Sequence, residues 1–141
     1  MQLRQWKHWG VGGALVGALA LGGCGHEQTW TMDTTNAVPA AGGQVKVKNE
    51  KDGNTRVKVE VAHLAQPESA FNATTYVVWL KPQMGSAQNV GVLSVGKDLK
   101  GSLETKTAFK NFQVIVTAED FPNVTLPRGP EVMNTRVVMP S

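Results

Sequence analysis

Few residues in this chain have the type and spacing that chemistry requires. There is one cysteine, Cys24, and of the three histidines only His26 and His63 follow it. Ser69, Ser86, Ser94 and Ser102 stand in no Gly-x-Ser-x-Gly setting, and no His-x-x-x-His or Cys-x-x-Cys spacing occurs. Neither an activated nucleophile nor an open zinc site is therefore spelled out. Glu119-Asp120 is the one adjacent acidic pair; neighbouring side chains of an extended chain diverge, which suits a loop better than a catalytic dyad. Met32, Met84, Met133 and Met139, with His26 and His63, are soft ligands of the kind copper takes. Their spacings form no cluster, and methionine routinely fills core gaps. The residues thus point away from an enzyme and call for no cofactor and no metal. A small-ligand or copper-binding protein is the alternative reading, and an enzyme of unknown type the remotest.

Cys24 has the most informative surroundings. Arg4 and Lys7 make the first nine residues basic, and Val11 to Gly23 is an apolar, glycine-rich run. That run is shorter than the ~20 residues of a membrane-spanning helix, so it reads as the core of a signal peptide. It ends in Leu21-Gly22-Gly23-Cys24, which resembles the lipobox of bacterial lipoproteins. The resemblance implies cleavage between Gly23 and Cys24 and acylation (palmitate among the chains) of Cys24. It further implies a membrane held through that lipid anchor at Cys24, in the bacterial cell envelope. Gly25 in place of the aspartate that marks inner-membrane retention favours the outer membrane, on its periplasmic face. Several acyl chains hold firmly where one holds weakly, and acylation also accounts for a lone thiol in an exported chain. The expected division is 1–23 signal peptide, 24–28 lipidated tether and 29–141 a β-sandwich domain.

Without residues 1–23, 12 basic and 11 acidic residues remain, so the basic pI of the whole chain is no sign of nucleic-acid binding. No nucleic-acid partner is expected. Residues 24–141 suffice for one domain with one modest core.

The elements that must position any site read as strands. Thr29 to Thr34 alternates. Gln44 to Lys48 and Thr55 to Val61 alternate about an Asp52-Gly53 turn, the signature of a hairpin. Val45, Val47, Val57, Val59 and Val61 face inward; Lys46, Lys48, Arg56, Lys58 and Glu60 face out, as a solvated face in preference to an anionic-lipid or polyanion patch near the membrane. Thr74 to Leu80 is apolar on both faces and is expected to be a central strand covered on both sides, with Tyr76 and Trp79 in the core. Asn89 to Val95, Leu99 to Thr105, Asn111 to Thr117 and Glu131 to Met139 complete the set. A proline-rich crossing runs from Phe121 to Pro130. No sustained helical period follows Cys24. Seven to eight short strands with regular turns predict an all-β fold, a small immunoglobulin-like β-sandwich.

Tyr76-Val-Val-Trp-Leu80, Asn89-Val-Gly-Val-Leu93, Phe112 to Thr117 and Pro127-Arg-Gly-Pro130 resemble the order of elements in the extracytoplasmic domain of anti-sigma-K-type factors, over roughly residues 55 to 139. The resemblance implies a small sandwich used as a sensing or binding module. Sigma-factor regulation is not expected to carry over, because this sequence displays neither the sigma-binding segment nor the transmembrane helix of those factors. The functional expectation is a non-enzymatic, lipid-anchored envelope protein that binds an unidentified envelope protein partner. The contact is expected at an exposed strand edge or the 119–130 loop, with Glu119, Asp120 and Arg128 as candidate contact residues.

Overall fold

The computed structural model describes residues 26–140; the lipobox, its cleavage point and Cys24 lie outside the described residues. Two antiparallel sheets pack face to face, as the alternation predicts. The first has the order β1 (Gln28–Thr31), β3 (Gly42–Asn49), β4 (Thr55–Ala62), β7 (Gly101–Thr107). The second has the order β2 (Asp33–Thr34), β9 (Glu131–Val138), β8 (Asn111–Glu119), β5 (Thr75–Pro82), β6 (Gln88–Leu93). The segment read as one first strand is divided at Met32: β1 pairs with β3 in one sheet and β2 with β9 in the other. Met32 is buried at that crossing.

The β3–β4 hairpin forms in the register its alternation requires, with Val45 opposite Val59 and Val47 opposite Val57. All four valines are buried against the inner face of the second sheet, which supplies Tyr76, Val78, Leu80, Val114, Val116 and Val137 among others. Each such side chain contributes about 1.5–3 kcal/mol relative to exposure. Among the described residues every member of this core lies between Met32 and Met139, and Trp30 of β1 packs against it.

Two features depart from the sequence expectation. A short helix, α1 (Pro67–Phe71), crosses from β4 to β5, with proline in its first turn and Asn72 at φ 53° ending it. Five residues are too few to display a period. Trp79 is fully buried, yet it is absent from the core between the sheets. Tyr76, Val78 and Leu80 take the inner face of β5, and alternation turns Val77 and Trp79 to the outer one.

The register also sorts the loops into two ends. Pro82 pairs with Phe112, Asn111 with Val138, and Gln28 with Val47 near the close of β3. The chain therefore enters the sandwich at the end that holds the β3–β4 and β5–β6 turns. The Lys110 ammonium ties that end together, donating to Asn49 Oδ1, the Gly53 carbonyl and Thr55 Oγ1 at 3.1, 2.9 and 3.0 Å. Helix α1 and the 96–100 turn sit at the opposite end, where the 120–130 segment also leaves β8 and returns to β9. Among the described residues no helix is long and apolar enough to cross a membrane.

Candidate functional site: a strap over the second sheet

Trp79 needs a cover, and residues 120–130 supply it. Asn89, opposite Trp79 on the neighbouring strand, donates through Nδ2 to the carbonyls of Pro122 and Val124, both at 2.9 Å. These bonds hold the outgoing half of the segment over the outer face of the second sheet. The returning half is held by Glu119, the last residue of β8. Its side chain is 2% exposed and accepts three hydrogen bonds: from the Thr117 hydroxyl at 2.6 Å, the Arg128 amide at 3.1 Å and the Gly129 amide at 3.1 Å. The Thr117 oxygen in turn accepts the indole N–H of Trp79 at 2.8 Å. One connected network thus joins the strand, the indole and the strap.

Local sequence explains the shape. Pro122, Pro127 and Pro130 fix φ and remove donors that a strand would use, so the segment cannot extend the sheet. Gly129 passes so close to β8 that a Cβ there would lie 1.7 Å from the Ala118 carbonyl oxygen. The Ala118 amide donates to Pro130 O at 3.0 Å, closing the base.

The strap is pinned beneath and apolar above. Phe121 and Leu126 are 65% and 54% exposed, far out of keeping with their type. Beside them a depression of about 290 Å³ opens between the strap and the end of α1, lined by Phe71, Asn72, Phe121, Val124 and Arg128. Of the three residues expected to make contact, Asp120 and Arg128 are on the surface of the strap. Glu119 faces inward, its acceptor capacity taken up inside the molecule, and serves to hold the other two in place.

Of the remaining candidates only Met32 and Met133 come together. Met32 and Met133 are buried with their sulfurs against Gly43, Met139 is buried after β9, and Met84 projects from the β5–β6 turn. His63 is exposed at φ 56° after β4, and His26 is exposed before β1. Among the described residues no three His, Cys, Asp or Glu side chains converge as a metal site would need.

The outer face of the first sheet is laced by ion pairs. Lys46 lies 3.0 Å from Glu60, and Arg56 lies 2.9 Å from Glu50 and 2.7 Å from Glu104. Hydrogen bonding from Arg56 lowers the Glu50 carboxyl below its ordinary range, and Lys46 does the same for Glu60. Those acids divide the basic stripe into local pairs. Inside, Tyr76 donates its hydroxyl to the Ala65 carbonyl at 2.6 Å, and burial pushes its pKa up to about 12.

No protein-family model matches this chain, and no curated protein does so either.

Proposed function

We propose that the chain is a non-enzymatic, lipid-anchored protein of the bacterial envelope whose sandwich presents the 120–130 strap to a protein partner. The lipobox-like Leu21-Gly22-Gly23-Cys24 supports the anchor, with the outer membrane as the favoured location and a sensing or binding role like that of the anti-sigma-type sandwich it resembles. The observation that carries the contact is the strap itself, fastened by the buried Glu119 while Phe121 and Leu126 stand in solvent. Interfaces draw their energy from a few large apolar or aromatic side chains and from Arg, and a surface held rigid beforehand loses less entropy on binding. Asp120 and Arg128 form the polar rim. An anchor at Cys24 puts the chain's entry end toward the membrane and the base of the strap at the other end.

Photocrosslinking in living cells tests the reading. A crosslinker at position 121 or 126 is expected to give one discrete adduct, and the same crosslinker at Lys46 is expected to give none. Absence of an adduct from all strap positions contradicts the proposal.

A further inference from the structure

Outside the strap, the second sheet's outer face stays open at the end where the chain enters. Lys81, Gln113 and Arg136 stand in one row across β5, β8 and β9. With strands about 4.8 Å apart, the outer two lie roughly 10 Å from one another. They border a depression of about 440 Å³ with Pro82, Gln83 and Met84. Met84, at the tip of the β5–β6 turn, is 89% exposed, more than any other large apolar side chain among the described residues.

The charge pattern sets this patch apart from the first sheet, where among the described residues Lys48 alone of the strand cations lacks a carboxylate partner. There, Lys46, Arg56, Lys58 and Lys106 each have a carboxylate within 4.0 Å. Among the described residues, Lys81 and Arg136 have none. Lys48 and Lys51 are exposed at the same end, so the cations here outnumber the acids. Two uncompensated cations beside a projecting apolar side chain suit a surface that is anionic at its face and apolar just below it. That is the chemistry of an anionic bilayer, where cations meet headgroup phosphates and the thioether enters the acyl boundary.

We propose that Lys81, Arg136 and Met84 form a bilayer-contact face for anionic lipid headgroups, at the end of the sandwich nearest the point where the chain enters it. The orientation it implies rests on the proposed anchor at Cys24, whereas the face itself does not need the lipid.

Residues 26–141 contain both sheets and the core of the described sandwich and provide the probe. In co-sedimentation, this domain is expected to bind vesicles of phosphatidylcholine mixed with phosphatidylglycerol and to leave pure phosphatidylcholine vesicles in solution. The Lys81→Glu/Arg136→Glu pair is expected to weaken that binding at least about tenfold. Met84→Ser should weaken it severalfold, and Lys97→Glu/Lys100→Glu, at the opposite end, should leave it unchanged. Lys81→Gln and Met84→Ser alter exposed positions only and supply the readout if the double reversal fails to fold. No binding to the anionic vesicles overturns the proposal, as does equal binding by the folded Lys81→Glu/Arg136→Glu variant. Binding of a polyglutamate peptide without vesicle binding also overturns it, in favour of an acidic protein segment. The probe lacks Cys24, so its failure leaves the anchor standing. An unacylated Cys24, read by mass spectrometry of the cellular protein, removes the anchor without touching vesicle binding.

Discussion

Glu119 is the residue on which the strap depends, and its substitution separates a structural carboxyl from a contact one. Glu119→Ala leaves the Arg128 and Gly129 amides and the Thr117 hydroxyl without their acceptor. The expected cost is about 2–4 kcal/mol in urea unfolding, the range for breaking a buried hydrogen-bond network. Gly129→Ala should be comparably damaging, because its methyl group would collide with the Ala118 carbonyl and push the returning strap off β8. Asp120→Ala, at the surface, should leave the unfolding midpoint nearly unchanged. Tyr76 gives a pH signature. Its pKa is raised from 10.0 to about 12 in the fold, so the neutral form is favoured there, and the associated stability is complete below pH 10. That stability should fall away as the pH climbs from 10 to about 12. Tyr76→Phe should abolish this alkaline loss, measured by unfolding across that interval, while costing about 1 kcal/mol at neutral pH for the lost bond to Ala65.

At the scale of elements, Asn89 should control the strap's outgoing half. Asn89→Ala removes both bonds to the Pro122 and Val124 carbonyls, and amide exchange at residues 123–126 should quicken while β3 and β4 remain protected. The sandwich itself was legible in the sequence because its strands alternate: the valines of β3 and β4 and the doubly apolar β5 were assigned to the correct faces by a period of two. What covers the second face of β5 was not legible. Trp79 reads from the sequence as a core residue, but alternation places it with Val77 on the face away from Tyr76, and a covered outer face demands a covering segment. The Phe121 to Pro130 crossing was the available signal, since its prolines exclude pairing. Glu119's inward turn was hidden because its partners Thr117, Arg128 and Gly129 meet it only when the strap returns nine and ten residues later. The division of the first strand at Met32 depends on which sheet each half joins, a non-local choice that period-two alternation does not encode.

The whole molecule has two ends with different surfaces. At one, the chain enters beside the turn that carries the projecting Met84; from the other, the strap folds back over the second sheet with Phe121 and Leu126 outward. In the proposed arrangement the lipid on Cys24 fixes the first end to the envelope and leaves the second free for contact. Cys24→Ser should move the protein from the membrane to the soluble fraction on cell fractionation, with the fold intact because the buried core among the described residues runs from Met32 to Met139. The contact is the central claim, and site-specific photocrosslinking in living cells measures it most directly. A crosslinker at position 121 should yield a discrete adduct that disappears when Leu126→Glu or Arg128→Glu is introduced on the strap. No adduct, or one that is also formed from position 46, would contradict the account.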